Sequence, residues 1–117
     1  MALFTTRNVL TMTVLAVSLG MARPLTAGQG DAKKGQEVYA AQKCQICHAI
    51  GGKGNKLNPL DGVGKKLSAD EIRAWIVDPA GMTAKTKSAK KPPMPAKYGG
   101  LPAPDLDALV AYMQSLK

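Results

Sequence analysis

The stretch Cys44-Gln45-Ile46-Cys47-His48 decides how the rest of this chain is read. It holds both cysteines and the single histidine of the 117 residues. A disulfide across so short a loop adds little stability and leaves the adjacent histidine unexplained. A redox dithiol of the thioredoxin kind sits beside a βαβ pattern, and no alternating strand pattern is present. A structural zinc site needs four ligands, and no second cysteine pair or second histidine exists. Two thiols at this spacing can each add to one vinyl group of the same porphyrin, and the following imidazole is then held under its metal. The five residues read as an attachment site for one covalent haem.

Working outward, a helix is expected over about Asp31–Lys43, with Asp31 as its amino-terminal cap. Gly35, Val38, Tyr39 and Gln42 fall on one face of it at helical spacing. Gly51 to Gly64 is rich in Gly, Asn and Pro and reads as loop. Ser68-Ala69-Asp70-Glu71 is a capping box announcing a second helix, with Ile72, Trp75 and Ile76 on its apolar face and Asp78-Pro79 ending it. Pro79 to Pro104 shows no periodicity, and a loop of that length in a small domain calls for a function. The last helix begins near Pro104 or Asp105 and presents Leu106, Leu109, Val110, Met113 and Leu116. The expectation is three helices, two extended loops and no sheet.

The first residues have a different character. A short leader with one cation, Arg7, is followed by an apolar run from Val9 to Ala22 that Arg23-Pro24 stops. That is the layout of a secretory signal peptide. Residues 1–27 are assigned to it, with cleavage favoured after Ala27 and Ala22 as the alternative site, and residues 28–117 form the domain. The run falls short of the roughly 20 apolar residues of a membrane span, so no stable membrane insertion is expected once the leader is removed; an uncleaved anchor is the competing reading. Export implies a periplasmic or otherwise exported location. All eight acidic residues follow Ala27, while Arg7 and Arg23 precede it, and the formal net charge of the chain is +8. The lysines are spread out rather than packed into one stripe. With the leader, this argues against nucleic acid and for an acidic protein partner, or for plain solubility.

With these motifs in place, the domain resembles the class I c-type cytochromes over nearly all of residues 28–117. The resemblance implies an all-α cytochrome c fold, about three main helices with long loops wrapped around one covalently bound haem. It implies that Gly35 and Tyr39 of the first helix pack across Leu109 and Tyr112 of the last. Asn58-Pro59-Leu60 followed by Gly62-Val63-Gly64 resembles the family's loop after the haem motif. There a proline carbonyl accepts the hydrogen bond of the ligand imidazole, so Pro59 is the matching position; a turn-shaping Pro59 is the plainer alternative. Family members often carry Gly before this proline, where this chain has Asn58.

Two-histidine ligation is impossible with His48 alone. Of six methionines, Met1, Met12 and Met21 lie in the leader and Met113 lies on a core helix face. Met94, in Lys91-Pro92-Pro93-Met94-Pro95, resembles the family's Met-Pro segment and is chosen as second iron ligand over Met82. Trp75 is expected near the haem, its indole nitrogen either donating to a propionate or lying at the surface. With His48 and Met94 filling both axial positions, the function implied is one-electron transfer and not enzyme catalysis. Lys43, Lys53, Lys56, Lys87, Lys90, Lys91 and Lys97 would surround the exposed edge and steer an acidic redox partner. A fixed subunit of a larger oxidoreductase complex and a gas- or peroxide-binding haem protein are the alternatives.

Overall fold

The computed structural model describes residues 27–117; the expected signal peptide, with its two expected cleavage sites, lies outside the described residues apart from Ala27 itself. Helix α1 spans Ala27–Ala41, α2 Val63–Lys66, α3 Ala69–Val77, α4 Pro79–Thr86 and α5 Ala103–Ser115. Two short 3-10 turns cover Cys44–Ile46 and Ala96–Gly100. Strands β1, Ala49–Ile50, and β2, Lys53–Gly54, pair antiparallel.

Crossed helices α1 and α5 form the frame. Gly35 is buried where they meet: a Cβ there would overlap the backbone carbonyl of Ala108 and stand 2.6 Å from the Tyr112 Cβ. Only glycine lets two helix backbones approach so closely. One turn further on, Tyr39 meets Tyr112 edge-to-face, with ring centroids 5.8 Å apart. Lys34 and Asp105 add an ion pair at 2.9 Å between the same helices. The expected apolar faces of α1, α3 and α5 converge. Val38, Tyr39, Ile72, Ile76, Leu106, Leu109, Val110 and Met113 form one buried cluster. Arg73 pairs with Asp107 on the outside of the α3–α5 contact.

Helix α3 starts as its sequence requires. The Ser68 hydroxyl accepts from the Glu71 amide at 3.2 Å, and the Glu71 carboxylate accepts from the Ser68 amide at 2.8 Å. Asp78 closes α3 and also opens α4, its carboxylate accepting the Gly81 amide at 3.0 Å with Pro79 in the first turn.

Three expectations need correction. Asp31 lies inside α1, which starts at Ala27, so it caps nothing. The segment Pro79–Pro104 is not one irregular loop. It holds α4 and the 3-10 turn Ala96–Gly100, because Asp78-Pro79 is a start signal as much as a stop. Among the described residues the α-helices therefore number five: the three main ones expected, α1, α3 and α5, with the short α2 and α4 added. A small antiparallel hairpin exists where no sheet was expected. Its turn needs Gly51 and Gly52 at φ 58° and 77°, a left-handed backbone that side chains disfavour.

Candidate cofactor site

The haem motif sits directly after α1. Lys43 takes a left-handed conformation, breaks the helix and turns Cys44–Ile46 into a 3-10 turn. Cys44 and Cys47 are both free thiols and both half-buried. Burial pushes the Cys44 thiol above its ordinary pKa, and the neighbouring Cys47 acts the same way. The thiols thus lie unpaired, with Cys44 held toward its neutral form.

His48 is oriented by the loop that follows. Its Nδ1 lies 3.0 Å from the carbonyl oxygen of Asn58. A carbonyl can only accept, so Nδ1 carries the proton and Nε2 keeps the lone pair that binds a metal. This corrects the expected acceptor: the carbonyl is that of Asn58, one residue before Pro59. The register follows from a parallel bridge between Ala49 and Pro59. Leu60 donates to the Ala49 carbonyl at 2.8 Å, and the Ala49 amide points at the Asn58 carbonyl at 3.4 Å. Pro59 keeps a place in the wall of the site.

That wall encloses a cavity of about 710 Å³. Cys44, Cys47, His48, Pro59, Trp75 and Met94 all line it, so the structure brings together every site residue named from the sequence. Its apolar lining comes from Leu60, Val63 and Leu67 around α2, Ile72 and Ile76 of α3, and Leu109 and Met113 of α5. Met82, on α4, is not part of the lining. Trp75 is half-buried on α3. Polar groups that sequence reasoning did not single out also face the cavity, among them Lys66, Thr83, Thr86 and Ser88. Thr83 and Thr86 are already committed, their hydroxyls donating to the Pro79 and Met82 carbonyls at 2.7 and 2.8 Å. Of the lysines expected around the site, Lys43, Lys90 and Lys97 line the cavity; Lys53, Lys56, Lys87 and Lys91 are exposed but do not.

The cytochrome c family model matches residues 32–117. This chain belongs to the cytochrome c family. As a cytochrome c domain it serves haem-based electron transfer, and its membership implies a covalently bound haem and redox partners. The residues fit such a group: an apolar cavity of suitable size, two unpaired thiols on one wall and an imidazole with its outer nitrogen free. A curated relative, "Cytochrome c oxidase subunit 2" of Alkalihalophilus pseudofirmus, is 30% identical over 95 residues. The match takes in 74% of this chain but only 26% of the relative, so the chain spans about a quarter of that protein's length. No solved structure matches the chain. Among the described residues, no helix is long and apolar enough to cross a membrane.

Proposed function

We propose that this cytochrome c domain is an exported one-electron carrier whose haem c is attached through Cys44 and Cys47 and ligated by His48 and Met94. The observation that carries the reading is the hydrogen bond from His48 Nδ1 to the Asn58 carbonyl, beside two free thiols on the wall of one apolar cavity. It fixes the tautomer and ring orientation a metal ligand needs.

When bound, the iron supplies a one-electron couple whose potential is raised by a thioether ligand. The protein's own share is placement and shielding. Met94 supports the role of second ligand because it lines the cavity on a proline-bounded segment, whereas Met82 lies outside it and Met113 is buried on a core helix. Prolines on either side limit the entropy lost on holding Met94 in place. The apolar wall keeps water away and favours the lower-charge reduced state. Lys43, Lys90 and Lys97 at the cavity, with the other exposed lysines, favour a redox partner whose docking surface is acidic. The similarity to an oxidase subunit favours a second reading, in which this domain delivers electrons as a fixed part of a larger complex.

The test is an optical spectrum, oxidised and reduced, of protein exported by a host with haem-attachment machinery. Low-spin haem with a far-red sulfur-to-iron band, lost in Met94→Ala, is the expected result. High-spin iron in the wild type that takes up carbon monoxide would establish an open, ligand-binding site instead. Colourless polypeptide of unmodified mass would refute haem attachment altogether. Co-purification with a membrane oxidase separates the free carrier from the fixed subunit.

A further inference from the structure

His48 is gripped twice by one short segment of chain. Its imidazole Nδ1 donates to the Asn58 carbonyl at 3.0 Å, and its own backbone carbonyl accepts the Asn55 N–H at 3.1 Å. Asn55 and Asn58 are only three residues apart. The bonds therefore close a ring, from the His48 backbone through residues 55–58 and back to the His48 side chain. Any change in the shape of that segment moves the acceptor relative to the imidazole.

The Asn55 side chain shapes the segment. Its Oδ1 accepts the Leu57 amide at 3.0 Å, the turn an asparagine makes with the residue two ahead, and so bends the chain just before the Asn58 carbonyl. Its Nδ2 donates to the Ile46 carbonyl at 3.2 Å, and its backbone N–H also reaches the Gln45 carbonyl at 3.0 Å. One residue thus engages three carbonyls of the Cys44–His48 turn, those of Gln45, Ile46 and His48. Gly54 permits the approach: a Cβ there would overlap the His48 carbonyl oxygen. Magnitudes say where loss of the side chain is felt. Asn55 is half-buried, so water competes for its bonds, and each contributes about 0.5–1.5 kcal/mol at most. That is small beside the roughly 5–15 kcal/mol that holds a domain folded. It is comparable with the single bond between His48 and Asn58. The side chain therefore matters more to the placement of one acceptor than to the fold.

We propose that Asn55 is the positioning residue for His48: its side chain sets the distance and direction of the Asn58 carbonyl from Nδ1, and through that bond the orientation of the imidazole and the reduction potential at the iron. Asn55 is not in the cavity wall, so it acts only through the bonds just described. Hydrogen bonds to a ligand are one of the protein's levers on the potential. An imidazole whose Nδ1 proton is held less firmly is a poorer donor to oxidised iron, so loosening the bond favours the reduced state. The proposal rests on the electron-carrier reading above and adds what keeps its one imidazole in register.

The experiment uses the haem-loaded, reduced protein and follows by NMR the exchange of the His48 Nδ1 proton with solvent, beside exchange of the Leu109 and Met113 amides in the core. Asn55→Ala is expected to speed Nδ1 exchange about fivefold, the factor for roughly 1 kcal/mol, and to leave the core amides within about twofold. In a redox titration the ratio of reduced to oxidised protein at a fixed applied potential should rise about threefold, an upward shift of about 28 mV at about 59 mV per tenfold. Asn55→Ser, whose hydroxyl remakes the turn weakly, should recover part of both changes. Leu57→Ala keeps the backbone, removes an exposed neighbouring side chain and should match the wild type in both. Wild-type Nδ1 exchange in Asn55→Ala overturns the proposal, as does a potential that stays or falls. So do core amides accelerated by the same factor as Nδ1, which would make Asn55 a stabilising residue and nothing more. Where Asn55→Ala fails to take up haem, Asn55→Ser against the wild type carries the same comparison. The two readings fail separately: a normal wild-type haem spectrum with Nδ1 unmoved in the variants removes only the positioning role, whereas a wild type without low-spin haem removes the carrier itself.

Discussion

Replacing Gly35 with alanine sets two effects of known sign against each other. In an unconstrained helix the change stabilises by about 0.8–1.0 kcal/mol, because alanine loses less backbone freedom than glycine. Here the added Cβ would stand 2.6 Å from both the Ala108 carbonyl carbon and the Tyr112 Cβ. Relaxed carbon contacts lie at about 3.5–4.0 Å, so α1 and α5 must part by roughly 1 Å at their crossing. The obstacle is helix backbone, which cannot swing aside as a side chain can. Forced overpacking of this kind costs typically about 1–3 kcal/mol, and separation also weakens the Tyr39–Tyr112 contact. The net expectation is a loss of roughly 1–2 kcal/mol, which for a domain of this size lowers the midpoint of thermal unfolding by about 5–15 °C. Far-UV circular dichroism on the haem-loaded protein measures it, with Gln36→Ala, on the exposed side of α1, as a control that should shift little. A Gly35→Ala protein at least as stable as the wild type would refute the close crossing.

Ser68→Ala should cost about 1 kcal/mol in urea unfolding, since it removes an N-cap that accepts the Glu71 amide. The Glu71 carboxyl is held below its usual pKa by the Ser68 amide and hydroxyl. A depressed pKa stabilises the fold above the ordinary glutamate range and ceases to do so as pH falls through the folded value, so the carboxylate's contribution should fade in acid, and Glu71→Gln, which keeps a side-chain acceptor but no titrating group, should abolish that pH dependence. Burial raises the Tyr39 phenol to about 12 from 10.0. A raised pKa means its share of stability is complete below pH 10 and is lost as pH climbs towards 12. Tyr39→Phe should therefore resist alkaline unfolding better than the wild type while differing little near neutrality, because the His48 carbonyl, which accepts from the Tyr39 hydroxyl at a long 3.5 Å, keeps the Asn55 N–H as a partner; equal alkaline midpoints for the two proteins would contradict this.

Much of the architecture could be read from side-chain spacing, and the misses have physical causes. The apolar faces of α1, α3 and α5 were legible because helical periodicity reports which side is buried. Ser68 and Glu71 marked the α3 start because a reciprocal cap is written in side chains. Helix α4 was missed because Asp78-Pro79 serves two helices at once, and a short helix made mostly of Ala, Thr and other small residues has no apolar stripe to betray it. Two-residue strands are too short to show alternation, so the hairpin was visible only as glycines. The His48 acceptor was displaced by one residue because backbone carbonyls carry no sequence label. What decides the register is the Ala49–Pro59 bridge, a contact made in three dimensions. Met94 was separable from Met82 in sequence by its flanking prolines, and the structure puts Met94 and not Met82 in the cavity wall.

The pairing of α1 with α5 has a consequence for the order of assembly. Leu109 and Met113, on α5, complete the cavity wall that begins with Tyr39 on α1. A chain that emerges amino end first exposes Cys44, Cys47 and His48 long before that last helix is available. During this interval one side of the chamber around them is still unbuilt. Only when α5 docks over Gly35 does the chamber acquire its final side.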